Sequence, residues 1–336
     1  MRQKWIDFLK TLAMIAVLQN HLPQEARLYN VLYSIYSVSL FVLCGGVTAA
    51  ISLENQTKFE YKTYLWKKVK TIMLPYFVAT CGYVIFEIGY FDVFYMFNRL
   101  VNFTYGSNGH MYYLVFYFEL ILIAPLLVKL YKKYENSEMI QIGILASSAM
   151  VAYIFEKYTY LDRFILGSRY LFGGSYFLLY NLGIYIYFHT DLLDKLIMKI
   201  LMFFAGIFAF GIIVYREWYL VWWSNPPSVK VIVYTIVVFL LGYSSITLLQ
   251  QLAKMYMRVG GGIFSLKLIC VPGRYSLYIY LWHMMLIDIL SENGTLTRID
   301  MELWEKLLIS CCILYLPYLF YMLYKKGVTL FWRFIS

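Results

Sequence analysis

The sequence predicts an all-α protein, a polytopic membrane helix bundle of about ten transmembrane helices with both termini cytoplasmic. Three observations predict it. Of 336 residues, 62% are hydrophobic and only 14% are charged, whereas soluble domains are about 45–50% apolar and about 25% charged. The excess apolar surface has to face lipid. Second, apolar runs able to cross about 30 Å of hydrocarbon recur along the whole chain. Third, the basic residues behind the net charge of +10 sit in short clusters between those runs, as at Lys67, Lys68 and Lys70 or Lys129, Lys132 and Lys133. Topology signals have this pattern. Strands of a membrane barrel would alternate and be about half as long, so the runs read as helices.

In chain order the predicted spans are 5–22, 30–52, 71–90, 111–131, 140–155, 171–188, 197–215, 229–249, 275–290 and 303–323. The first follows Arg2 and Lys4 and could pass for a signal peptide. However, Asp7 and Lys10 interrupt it, and Gln19 to Pro23 offer no small-residue cleavage site, so it reads as a retained first helix. This span and 140–155 are short for a bilayer. With the N-terminus inside, only Arg27, Arg99, Lys157, Arg163, Arg169, Arg216, Lys230, Arg298 and Lys306 of the 29 basic residues fall outside. That bias sets the orientation.

The remaining composition narrows the class. Aromatics make up 20% of the chain, with Tyr 35 and Trp 8, as suits rings anchored at headgroup level. The five cysteines show no ligand spacing, so neither a metal site nor a disulfide framework is expected. No nucleic-acid motif is present, and nucleic acid is excluded as a partner. Residues 1–336 read as a single membrane domain with no appended soluble domain. Trp218, Trp222 and Trp223, in the predicted outer segment 216–228, offer faces for sugar packing or for a membrane belt.

Polar side chains at membrane depth cost about 2.5–3.5 kcal/mol each on insertion scales and so face protein or water. The first span is richest in them. Lys10 and His21 are eleven residues apart, three helical turns with about 20° left over, which sets both on one face about 16 Å apart. Asp7 joins the stripe three residues earlier, and Gln19 and Asn20 flank His21. Two readings stay open. Lys10 snorkels and pairs with Asp7 while His21 ends a helix before Pro23, or the stripe is a functional site. His110 follows Gly109 at a loop end. Glu119 lies mid-helix among aromatics without an account. His283 and Asp288 are five residues apart and share no face, and His189 sits at a helix C-terminus, where the dipole favours a cation.

Three segments together carry a resemblance. The first is Asp7-Phe8-Leu9-Lys10 with its apolar run to His21. The second is Gly109-His110-Met111-Tyr112-Tyr113-Leu114 leading to Pro125. The third is Gly273-Arg274-Tyr275-Ser276 running to Trp282-His283. In that order, with a basic stretch before Leu74-Pro75-Tyr76, the chain resembles the acyltransferase 3 family of bacterial membrane acyltransferases from Lys4 to about Leu323. The resemblance implies transfer of an acyl group, usually acetyl, from cytoplasmic acyl-CoA to a hydroxyl of an extracytoplasmic glycan or lipid-linked sugar. It implies a multi-pass protein of the bacterial cytoplasmic membrane with no permanently bound cofactor, acyl-CoA being the donor substrate. It points to His21 as the catalytic residue and to Lys10, Lys67, Lys68 and Lys70 for acyl-CoA. Asp7, His110, Arg274 and His283 are supporting candidates. The chain departs from the family in three ways. It has Lys10 where Arg is frequent, which removes a bidentate contact. The C-terminal esterase-like domain of many members is not seen, and Glu119 stands where a neutral residue is expected.

The same residues suit the chemistry. Acyl transfer needs a held thioester, a base for the attacking hydroxyl and donors for the oxyanion, and a neutral imidazole serves as base or acyl carrier. A secondary transporter or flippase for a glycan is the rival from another class, but the broken-helix repeats of such proteins are not found. A non-catalytic scaffold would leave Lys10 and His21 replaceable.

Overall fold

A computed structural model describes residues 3–56, 59–101, 109–158, 171–218, 226–258, 267–298 and 300–335. Among them there is helix and no strand. The helices are α1 (Lys4–His21), α2 (Ser37–Glu54), α3 (Tyr61–Lys68), α4 (Leu74–Ile88), α5 (Val93–Val101), α6 (Tyr112–Lys133) and α7 (Glu138–Tyr158). They continue with α8 (Tyr176–Phe188), α9 (Thr190–Leu193), α10 (Leu196–Tyr215), α11 (Val229–Arg258), α12 (Lys267–Arg274), α13 (Ser276–Glu292) and α14 (Leu303–Ile335).

Seven helical stretches among the described residues are long and apolar enough to cross a membrane: Val31–Glu54, Tyr61–Ile88, Tyr112–Lys133, Glu138–Lys157, Leu196–Tyr215, Val229–Met255 and Leu303–Leu323. The other three predicted spans are helices too, but each falls short for a local reason. α1 carries Lys4, Asp7 and Lys10 within 18 residues. α8 has only 13 residues, because Phe172, Gly173 and Gly174 adopt positive φ of 53°, 74° and 60° and break the helix expected from residue 171. α13 has 17 residues and starts after a break at Tyr275 that separates it from α12.

The basic cluster also sits differently from the expectation. Lys67, Lys68 and Lys70 do not precede a helix; they lie within one. α3 runs through a π-helical turn, Val69–Met73, straight into α4, giving one 28-residue stretch. Two tyrosines of α3 tie this extension to α6. Pro125 inside α6 has no N–H to give the carbonyl four residues back, that of Ile121. Tyr64 donates its hydroxyl to the Ile121 carbonyl at 3.2 Å, and Tyr61 donates to the Leu122 carbonyl at 3.0 Å.

The chain forms two compact units. The first comprises Met1–Ser37 and Leu249–Ser336, the second Val38–Leu248. In the first, α1 packs against α12, α13 and α14, and Leu9, Ala13, Met14, Ala16 and Leu18 have no exposed surface. α12 approaches α1 through Gly273, where a Cβ would lie 1.7 Å from the Asp7 carbonyl oxygen. The Thr11 hydroxyl occupies the same crossing. It lies 3.0 Å from the Asp7 carbonyl and 2.9 Å from that of Ile269, and accepts the Gly273 N–H at 2.9 Å.

In the second unit α2 crosses α8 at glycines on both sides. A Cβ on Gly46 would meet the Tyr180 carbonyl at 2.0 Å, and one on Gly183 the Leu43 carbonyl at 2.1 Å. Small residues let membrane helices approach this closely, and van der Waals contact then holds them. Aromatic rings fill the space beside the crossing. Phe116 of α6 stacks on Tyr176 of α8 at 4.5 Å, and Tyr113 stacks on Tyr117 at 5.1 Å. The buried Lys199 is paired with Asp194 at 3.2 Å, and Asp194 also accepts the Tyr243 hydroxyl at 3.0 Å.

Candidate active site

The first unit gathers the polar residues of the first span. α1 is one unbroken α-helix through both Lys10 and His21, so the eleven-residue spacing does set them on one face, about 16 Å apart along the axis. Almost all of α1 is packed, with Lys10, Asn20 and His21 half-buried near its two ends. Asp7 is buried at the crossing with α12.

The segment after His21 folds back over the end of α1, and the neighbours of His21 hold it there. Gln19 accepts the Leu28 N–H at 2.7 Å and reaches the Ser310 hydroxyl of α14 at 3.5 Å. Asn20 accepts from the Ser34 hydroxyl and donates to the Ser37 hydroxyl at 3.2 Å and the Ser34 carbonyl at 3.4 Å. Arg27 donates through Nε to the Leu22 carbonyl at 2.6 Å, so its guanidinium stands at the C-terminal end of α1, beside His21. Cations are favoured at that helix end. Tyr29 is packed into the same return segment, and burial pushes its phenol up to about 12.

His283 joins His21 here. α13 turns Ile279, Tyr280, His283 and Ile287 inward, and α13 packs on α1. The His21 and His283 ring centroids are 5.1 Å apart with a 57° tilt. His283 has no exposed surface, and its Nδ1 lies 2.8 Å from the Tyr280 carbonyl. A carbonyl only accepts, so Nδ1 carries the proton, and in the neutral ring Nε2 carries the lone pair. An adjoining face of α13, with Tyr278, Trp282, Met285 and Leu286, borders an apolar groove completed by Pro317, Phe320 and Tyr321.

The other predicted residues have different surroundings. Arg274 is exposed at the end of α12, its guanidinium 5.6 Å from the Tyr275 ring centroid. In the second unit His110 is buried, its ring 5.7 Å from that of Tyr83. Lys67 and Lys70 are exposed there, and Lys68 is half-buried. The Lys68 ammonium lies 5.4 Å from the Tyr64 ring centroid and that of Lys70 5.2 Å from Trp66. His189 ends α8, bonded to the Tyr185 carbonyl at 2.9 Å and stacked on that ring at 4.1 Å, a structural role. Trp218 is half-buried; Trp222 and Trp223 lie outside the described residues. Among the described residues no cluster of three His, Cys, Asp or Glu could hold a metal ion.

Glu119, without an account in the sequence, has one here. Its carboxylate is buried and accepts the Phe172 N–H at 2.7 Å. It clamps the left-handed Phe172-Gly173-Gly174 turn that starts α8. Thr11, Arg27 and the Gly273 contact were missed as well. A glycine in the third motif segment was the available signal for close helix approach.

These features define a multi-pass membrane protein whose first helix is packed inward and ends on a pair of imidazoles. The family model for the acyltransferase domain of the acyltransferase 3 family matches residues 3–322. The chain belongs to that family and is a membrane acyltransferase. No curated protein and no solved structure matches it.

Proposed function

We propose that the protein is an O-acyltransferase of the bacterial cytoplasmic membrane. It takes an acyl group, acetyl in the first instance, from cytoplasmic acyl-CoA and delivers it to a hydroxyl of an extracytoplasmic glycan or lipid-linked sugar. In this reading the chain crosses the bilayer ten times with both termini inside, the shorter α1, α8 and α13 each packed against helices of its own unit. Non-uniform helices are tolerated at membrane depth when they are buried in protein.

The observation that supports the reading is the placement of His21. It ends a helix that is otherwise packed on nearly every side, three turns beyond Lys10, and its ring is half-buried rather than sealed. His21 acts as general base. It takes the proton of the acceptor hydroxyl as the oxygen attacks the thioester carbonyl, and gives that proton to the departing CoA sulfur as the C–S bond breaks. Within the second unit, Lys67, Lys68 and Lys70 are the cations assigned to the CoA phosphates.

The test is to compare His21→Ala and His21→Gln with the unaltered protein by mass spectrometry of surface glycans and by release of free CoA. Loss of a general base typically lowers the rate by about 10²–10⁴-fold. Both variants should be expressed and inserted normally, bind acyl-CoA, and lack glycan acylation. Near-full turnover by His21→Gln would return His21 to a structural helix end. A transporter in place of an enzyme would release no CoA at all.

A further inference from the structure

The base–orienter arrangement known from acyl-transfer triads needs a second group that holds the base in one tautomer and stabilises its protonated form. In most triads that group is a carboxylate. Beside His21, together with the Arg27 guanidinium, stands another imidazole. The two rings are 5.1 Å apart by centroid and tilted by 57°, close enough that small side-chain rotations would bring one nitrogen of each within hydrogen-bond distance. The roles within the pair are unequal. His283 has no exposed surface and its Nδ1–H is committed to the Tyr280 carbonyl, so its remaining nitrogen can only accept. His21 is half-buried at a helix end, where a substrate can reach it. A pair of ligands for a metal ion would need further donors, and among the described residues no such cluster forms.

We propose that His283 is a positioning residue for His21: its Nε2 accepts the His21 N–H, which leaves the other His21 nitrogen as the lone pair that meets the acceptor hydroxyl. This rests on the reading of His21 as the general base. The reaction itself is unchanged. The C–O bond forms, the C–S bond breaks, and the proton passes from the acceptor oxygen to His21 and on to the CoA sulfur. His283 gains and loses nothing; its lone pair holds the imidazolium that forms in between. Tyr280 acts one step further back, because its carbonyl keeps the His283 proton on Nδ1.

The experiment compares His283→Phe, which fills the volume without an acceptor, and His283→Gln, whose amide oxygen can still accept. Each is made with His21 intact and with His21→Ala, in full-length protein in nanodiscs. Two quantities are read. One is thiol release from acetyl-CoA in the presence of membranes carrying the acceptor. The other is the rate at which diethyl pyrocarbonate modifies His21, with His189 as internal standard. His283→Phe should lower kcat by about 10²–10⁴-fold with KM for acetyl-CoA unchanged, and should slow His21 modification. His283→Gln should stay within about tenfold of the unaltered protein in both. Neither should lower the residual rate of His21→Ala further. Equal losses in the Phe and Gln variants, or losses that multiply with His21→Ala, would overturn the positioning role. If His21→Ala alone keeps full thiol release, the base assignment fails. In that case His21 modification still reports whether the imidazoles are coupled.

Discussion

The Tyr64 hydroxyl donates to the Ile121 carbonyl at 3.2 Å, the acceptor that Pro125 leaves without a helical partner. Tyr64 is nearly fully buried, so this bond also ties the lysine-bearing helix to the proline-containing turn of α6. Leaving a buried carbonyl unsatisfied costs about 1–3 kcal/mol. Tyr64→Phe should lower thermal stability in detergent by an amount in that range. Tyr61→Phe should cost less, because Tyr61 is exposed and water or a headgroup can replace it.

Gly46 and Gly183 face each other's helices, each opposite a backbone carbonyl. No rotamer change relieves a contact with backbone, so either Ala substitution must push α2 and α8 apart. Overpacking of this kind costs about 1–3 kcal/mol. Both variants should melt earlier, and the double variant should lose less than the sum, since one displacement relieves both contacts. Gly206→Ala is the control: its added Cβ meets the flexible Leu241 side chain at 2.8 Å, and it should be much milder.

Glu119 offers a sharper contrast. Phe172 holds a left-handed backbone at φ 53°, a conformation costing roughly 1–3 kcal/mol in a non-glycine residue, and the Glu119 carboxylate satisfies its N–H at 2.7 Å. Glu119→Gln keeps an acceptor oxygen and should retain stability. Glu119→Leu should lose about 1–3 kcal/mol, read as a lower midpoint in thermal unfolding. Equal behaviour of the two would mean that the turn does not depend on the bond.

Much of this was legible in the sequence because hydropathy and helical period are local. The eleven-residue step from Lys10 to His21 needs only the 3.6-residue repeat, and α1 is indeed unbroken across it. The lysine cluster misled for an equally physical reason. Charge density suggests a loop, but the segment is continuous helix, tied to α6 by hydroxyls of Tyr61 and Tyr64 that reach carbonyls about sixty residues away. His283 was visible as a polar residue within a span and as the end of a motif. Its place beside His21 depends on a contact between residues 262 apart in the chain, which periodicity does not encode. Glu119 likewise waited for Phe172, a partner 53 residues on.

The lysines give the last prediction. Lys67 and Lys70 are exposed, and Lys68 and Lys70 lie over the rings of Tyr64 and Trp66. Such contacts hold the ammonium groups at the helix surface while leaving N–H donors for a phosphate. If they contact the CoA phosphates, replacing Lys67, Lys68 and Lys70 together with Gln should weaken acyl-CoA binding in the reconstituted protein. The loss should shrink as salt is raised, because exposed charges are screened beyond about 8–10 Å at physiological ionic strength. The decisive measurement is a titration of acetyl-CoA at about 20 mM and about 500 mM salt, where the screening length passes from well above to well below that range. A topology signal predicts a different result: unchanged affinity at both salts, with a fraction of the protein inserted in the opposite orientation, read by protease accessibility of the C-terminus. Weakened binding in correctly oriented protein assigns the cluster to the donor; unchanged binding with misorientation assigns it to insertion alone.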